Sequence, residues 1–123
     1  MTVSEQKYLK QIFLFVLNNN IGITITQLGK QVNVKTPSTF TMIKRLEAKK
    51  LIIYNKPTGC KVTAKGRQIS QQIIRRHQLG KIFLTKTLKV NIVESNAVAN
   101  QFQYIESNKL ADRLSQYLGN PLS

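Results

Sequence analysis

Two short stretches of helical apolar spacing, separated by a turn and followed at once by a β-branched run, constrain this chain more than any other feature. In residues 27–32, Leu28 and Val32 share an inward face with Ile25, while Thr26 supplies an N-cap and Asn33 the turn. Thr36-Pro37 reads as an N-cap followed by proline at the first helical position, where a missing N–H costs nothing. From there Thr39, Met42, Ile43 and Leu46 recur at helical spacing and turn Ser38, Thr41, Lys44, Arg45 and Lys49 outward. Residues 51–54 read as a strand, residues 55–59 as a turn and residues 60–63 as the returning strand. Two short helices, the second basic on its outer face, followed by a hairpin, make a winged helix-turn-helix.

The flanks fit that centre. Ser4 is an N-cap candidate for a first helix whose Tyr8, Leu9, Ile12, Phe13, Phe15, Val16 and Leu17 cover more than half its circumference, and Asn18, Asn19, Asn20 and Gly22 stop it. Ile23, Thr24 and Ile25 are β-branched and predict a very short strand. After the hairpin, Thr63 caps a long helix with Ile69, Ile73, Ile74, His77, Ile82 and Phe83 on its apolar edge and Arg67, Arg75, Arg76 and Lys81 on its polar side. Two helices close the chain, one over residues 96–105 and one capped by Ser107, with Gly119-Asn120-Pro121 as the stop. The fold class expected is mainly α with a small β-hairpin wing: residues 1–75 a winged helix-turn-helix, residues 76–123 a helical domain.

Charge indicates the partner. The chain holds 19 Lys or Arg against five Asp or Glu in 123 residues, a formal charge of +14, and is 41% apolar, enough to fold. Seventeen of those bases and only two acids fall in residues 1–90, where they interleave with helical apolar positions. A charge carried on folded elements in this way predicts double-stranded DNA as the partner, since each neutralised phosphate releases counterions. Thr36, Ser38 and Thr41 are placed to bond bases or phosphates, with Pro37 at the helix start, and Lys44 and Arg45 to reach guanine or the backbone. Lys56 and Lys61 flank the wing turn and are expected on phosphates. Phe40 has two readings, contact with thymine methyl groups or a place in the core, and Lys30, Lys35, Lys49, Lys50 and Lys65 divide between DNA contact and plain solvated surface.

The same inventory argues against an enzyme. The acids Glu5, Glu47, Glu94, Glu106 and Asp112 are scattered, and two-metal hydrolysis needs several carboxylates together. Cys60 is the single cysteine, so an internal disulfide and a cysteine-rich zinc motif are excluded; in the wing it is either a packing residue or a redox switch. No run of about 18 apolar residues and no signal-like start occurs, which predicts a soluble cytoplasmic protein without membrane contact.

The stretches ITQLGKQVNVKTPSTFTMIKRLEAKKLI, VTAKGRQI, RRHQLGKIFL, IESNKLADRL and YLGNP resemble the iron- and manganese-dependent repressors of the diphtheria toxin repressor and manganese transport regulator family. The resemblance runs over residues 8–121; its first half is shared with many winged-helix regulators, and the RRH segment with the helical pair ending in LGNP is more particular. It implies a helical dimerisation domain in residues 76–123, a homodimer on a palindromic operator, repression, and a short form without the SH3-like domain of longer members. It also implies a departure. Where the family has metal ligands, this chain has Lys7 and Lys10 on the first helix, His77 and Lys81 on the long helix, and Gln103-Tyr104 in place of an acid and a histidine. One imidazole among ammonium groups is not a divalent cation site, so the expectation is no metal, no cofactor, and DNA binding independent of metal. Lys7, Lys10 or Lys81 would then hydrogen-bond Gln103, Tyr104 or backbone carbonyls in the ion's stead, or contribute nothing. A regulator responsive to a small molecule or to residual metal, and a nonspecific DNA-binding accessory protein, are the alternatives.

Overall fold

In the computed structural model, which describes residues 1–122, the first helix begins earlier than Ser4 predicts: α1 spans Val3–Asn19 with Thr2 as its N-cap. The Thr2 hydroxyl accepts from the Glu5 N–H at 3.0 Å while Glu5 Oε1 accepts from the Thr2 N–H at 2.7 Å. This reciprocal box satisfies two orphan donors; Ser4, with Lys7 three residues on, can form none. The same rule moves the next cap. Helix α2, Ile25–Val32, is capped by Thr24 with Gln27 as the reciprocating residue, not by Thr26, which has Gly29 in that place. Ile25 is thereby drawn into the helix, and the strand expected at residues 23–25 shrinks to a single antiparallel bridge from Ile23 to Cys60.

Asn33 closes α2 in the left-handed conformation, as a turn there requires. Helix α3, Thr36–Ala48, starts one residue before the expected point: Lys35 is the N-cap without a side-chain bond, Thr36 is the first helical residue and Pro37 the second. Proline is tolerated there because that N–H is also an orphan of the first turn. Thr39, Ile43 and Leu46 are the buried face of α3. The hairpin is β1, Ile52–Asn55, paired with β2, Gly59–Val62, in the register Ile52↔Val62 to Asn55↔Gly59. Gly59 takes a φ of +85°, a conformation glycine adopts without a Cβ penalty.

Together α1, α2, α3 and the hairpin enclose Tyr8, Leu9, Ile12, Ile23, Leu28, Ile43, Leu46, Leu51, Ile52 and Cys60. Leu17, expected on the apolar face, is exposed on the last turn of α1. A charge pair fastens the start of α1 to the end of α3: Lys49 Nζ lies 2.6 Å from the carboxylate of Glu5, which is 1% exposed. Helix α4, Ala64–Ile82, follows the hairpin; Thr63 Oγ1 accepts from the Gly66 N–H at 3.1 Å and donates to the Lys50 carbonyl at 2.8 Å, so one hydroxyl starts α4 and ties it to the end of α3.

Two compact units divide the chain, residues 1–70 and the residues from Gln71 on, and α4 contributes to both. In the second unit α4 runs into a π-helical segment, Phe83–Thr87, then α5, Ile92–Phe102, capped by Asn91, and α6, Asn108–Tyr117, capped by Ser107. The first of this pair was expected from Asn96; Asn91 has the side chain that accepts from the Glu94 N–H and starts it earlier. Ile73, Leu79, Ala99 and Ala111 are buried here, and Arg75 reaches Asp112 on α6 at 2.9 Å. Arg76, expected on the polar side of the long helix, is only 5% exposed. Mainly helical with a two-stranded wing, the fold is of the expected class.

The Lys49 ammonium and the Thr2 N–H hold the Glu5 carboxyl down at about 2 against an ordinary 4.5. The folded state therefore binds fewer protons than the unfolded chain between those values; the stabilisation is complete above pH 4.5 and is lost as pH falls toward 2. Chemical denaturation of Glu5→Gln should give a less stable protein than the parent at pH 7, with the gap closing across that window.

Candidate nucleic-acid interface and the positions matching a metal site

Burial of Thr39, Ile43 and Leu46 fixes which side of α3 faces out: Thr36, Pro37, Ser38, Phe40, Thr41, Lys44 and Arg45 are all exposed. Thr41 donates its hydroxyl to the Pro37 carbonyl at 3.1 Å, leaving the oxygen's lone pairs for an outside donor. Lys56 in the hairpin turn and Lys61 on β2 are exposed as well. Lys61 faces Gln27 of α2 across a cleft of about 400 Å³, and Lys30 and Lys35 border another of about 410 Å³ at the helix-turn-helix corner. Phe40 is not a core residue: it is 41% exposed. Its ring stands edge-to-face with Tyr54 of β1, 6.2 Å between centroids at 83°, and the Lys44 ammonium lies 5.5 Å from the Phe40 centroid and 5.6 Å from that of Tyr54. Glu47 holds Lys44 from its other side at 3.4 Å. Tyr54, absent from the sequence-derived site, is the partner that completes this cluster; strand alternation alone assigns it no role.

Cys60 has no exposure and its backbone forms both bonds of the bridge to Ile23, at 2.7 and 3.0 Å. Burial, with the Glu47 charge adding, pushes its thiol up to about 11. A thiol so shielded is a packing residue and not a redox switch.

Six positions matched to metal ligands remain. Lys7 is exposed and Lys10 half-buried on α1, in the first unit, and burial lowers the Lys10 ammonium below its usual range. The other four, His77, Lys81, Gln103 and Tyr104, lie in the second unit, where Lys81 is half-buried and burial raises the Tyr104 phenol. His77 Nε2 and Asn100 Oδ1 are 2.9 Å apart, a hydrogen-bond contact whose direction follows the imidazole tautomer. Gln103 turns its amide nitrogen to the Asn100 carbonyl at 2.7 Å, and its own carbonyl accepts from Arg76 Nε at 2.7 Å. Burial lowers the Arg76 pKa, and the charge of Glu106 opposes that shift. Asn100 and Arg76 escaped the sequence reading: Asn100 sits one turn ahead of Gln103-Tyr104, and Arg76 fell on the helix face read as solvent-exposed.

A helix-turn-helix with an exposed basic second helix, a wing, and a separate helical unit defines the class of winged-helix DNA-binding transcription regulators. Residues 63–123 match the profile of the iron-dependent repressor metal binding and dimerisation domain, and residues 13–57 match that of the MarR family. The chain is 29% identical over 118 residues to an uncharacterised HTH-type transcriptional regulator of Methanocaldococcus jannaschii, covering 96% of this chain and 94% of that one. Against the HTH-type transcriptional regulator MntR of Geobacillus kaustophilus it is 28% identical over 83 residues, 68% of this chain and 58% of that protein. The solved structure of the manganese regulator SloR superimposes with a TM-score of 0.80 at 26% identity, covering 98% of this chain and 56% of that one. These matches support the iron- and manganese-dependent repressor family as that of this chain, a family of transcriptional regulators. It spans a little over half the length of MntR and SloR. Among the described residues no helix is long and apolar enough to cross a membrane.

The donors at the matched positions do not fit the metal that the family name implies. A divalent transition metal needs several carboxylate, thiolate or free imidazole ligands. Here the side chains are three ammonium groups, an amide, a phenol and a single imidazole, which is in hydrogen-bond contact with Asn100. Arg76→Met, which removes the donor to the Gln103 carbonyl, should destabilise the protein by about 2 kcal/mol in chemical denaturation. Iodoacetamide at pH 7.5 should leave Cys60 unlabelled in the folded protein and label it fully in denaturant, as mass spectrometry would record.

Proposed function

We propose that the chain is a sequence-specific double-stranded DNA-binding repressor, working in the cytoplasm as a homodimer on a palindromic operator, without a requirement for metal. The observation that carries this reading is the outer face of α3, where Thr36, Ser38, Thr41, Lys44 and Arg45 stand exposed on a helix locked in place by its buried side. In the proposal α3 enters the major groove with its first turns nearest the base edges. Lys56 and Lys61 meet phosphates from the wing. Residues 1–75 are assigned to DNA binding and residues 76–123 to dimerisation. An apolar surface in the second unit supports the latter: Val93 is 78% exposed, and Ile92, Val98, Ile105, Leu110 and Tyr117 are exposed with it. Large apolar side chains left exposed in a small unit are the raw material of a partner surface.

Independence from metal is supported by chemistry already present in the second unit. A buried guanidinium, Arg76, is bonded to the carbonyl that ends α5. That fixed positive charge joins α4 to the end of α5 within the second unit. Fixed charge cannot be chelated away.

Operators selected from random DNA, bound at 50 and 200 mM salt with chelator, manganese or iron, test the reading. The expected result is an affinity that falls about a thousandfold or more across that salt range, for at least six phosphate contacts in the dimer, and is the same with and without metal. A tenfold gain on adding manganese or iron would overturn metal independence. A specific-to-competitor ratio near one would leave a nonspecific DNA-binding protein instead.

A further inference from the structure

We infer that Phe40, set by Tyr54 and Lys44, reads the 5-methyl group of a thymine, and so makes a defined thymine in each half-site a determinant of specificity. The inference rests on the DNA-binding reading above and names part of what that site recognises.

Of the exposed side chains on α3, Phe40 is the one that is large and apolar. Its neighbours on that face are hydroxyls, a proline and bases, so the ring interrupts a surface otherwise built for water and phosphate. It cannot retreat inward, because the space beneath α3 is filled by Thr39, Ile43 and Leu46, each with no exposure. Nor is it free to sweep across the surface. Tyr54 holds it edge-to-face at 6.2 Å, and the Lys44 ammonium lies 5.5 Å from its centroid, itself kept there by Tyr54 at 5.6 Å and Glu47 at 3.4 Å. Exposed cation–π and edge-to-face contacts are each modest, but together they fix the ring before any ligand arrives. That preorganisation lowers the ordering cost of docking.

What remains uncovered is apolar, and it sits among bases that draw a polyanion. On the major-groove edge of the base pairs the thymine methyl is the one protruding apolar group among the hydrogen-bond donors and acceptors. A ring with no polar atom gains most by covering that methyl. Tyr54 is then a positioning residue, and Lys44 holds one side of the ring while keeping its charge at the groove.

The test replaces each thymine of a selected operator by deoxyuridine, which removes the methyl and keeps every hydrogen-bonding group. The parent protein should show one position per half-site at which the replacement weakens binding about fourfold, the value of burying one such carbon. Phe40→Ala should bind the thymine and uracil operators alike at that position, Phe40→Leu should keep most of the discrimination, and Tyr54→Leu should lose part of it. Melting followed by circular dichroism establishes that each variant is folded, and the uracil scan on the parent protein stands without them. Specific binding that ignores every uracil replacement, or a folded Phe40→Ala that still discriminates at the same position, overturns the inference alone. Failure to select any sequence overturns the regulator reading, and this inference with it.

Discussion

Two backbone hydrogen bonds between Ile23 and Cys60, at 2.7 and 3.0 Å, hold the wing to the body of the first unit. They do so at a crowded point. The carbonyl of Thr58 and the backbone of Gly59 approach Gly22 so closely that a Cβ there would overlap them. Because the bridge is buried, water does not compete for these bonds, and leaving either unmade would cost more than making it gains. The strand that would have carried Ile23 further is cut off by the Thr24 cap, so α2 starts two residues beyond the bridge residue. Helix α3 inherits that placement: Asn33 turns the chain, and Ile43 and Leu46 share a core with Leu28, Leu51 and Cys60. The exposed face of α3 is what remains after these constraints are met.

The second unit solves a different problem. Its buried residues are small or polar, Ala99, Ala111, Ser95 and Ser115 beside Ile73 and Leu79, so it has little apolar core of its own. Polar ties replace it, among them Arg76 to the Gln103 carbonyl, Gln103 to the Asn100 carbonyl and His77 to the Asn100 amide. A hydrogen-bonded charge in a dry site is worth more than one in water, and more costly to break. The family profile that matches residues 63–123 is titled a metal binding and dimerisation domain, and the solved relative SloR a manganese regulator. Here protein groups, Arg76, His77, Asn100 and Gln103, tie α4 to α5 and its C-cap.

Element type was legible in the sequence because apolar periodicity and turn residues act locally. Six helices and a hairpin follow from spacings such as Thr39, Met42, Ile43, Leu46 and from Gly59 in its turn. The caps were legible too, had the reciprocal pairs been weighed: Thr2 with Glu5 and Thr24 with Gln27 each offer a partner three residues on, and Ser4 and Thr26 do not. Less legible were the side chains whose surroundings come from elsewhere in the chain. Arg76 reads as a surface base beside Arg75, yet one is buried and the other meets Asp112 at the surface. Phe40 allowed two readings until Tyr54, fourteen residues away in sequence, was seen to stand beside it.

By itself the sequence determined the class of this protein: the basic excess in residues 1–90, the helix-turn-helix spacing and the RRH and LGNP segments all act through local pattern or net charge. Its resemblance to the metal-dependent repressors also set the expectation that lysines and neutral side chains stand where that family has metal ligands, because short motifs can be matched without coordinates. Only the tertiary structure decided that Arg76 joins α4 to the end of α5, that the Phe40 ring is displayed and not buried, and that Cys60 is sealed away. Burial and hydrogen bonding depend on what distant residues bring to a point in space, and a helical repeat cannot tell the side of a helix that meets another helix from the side that meets water.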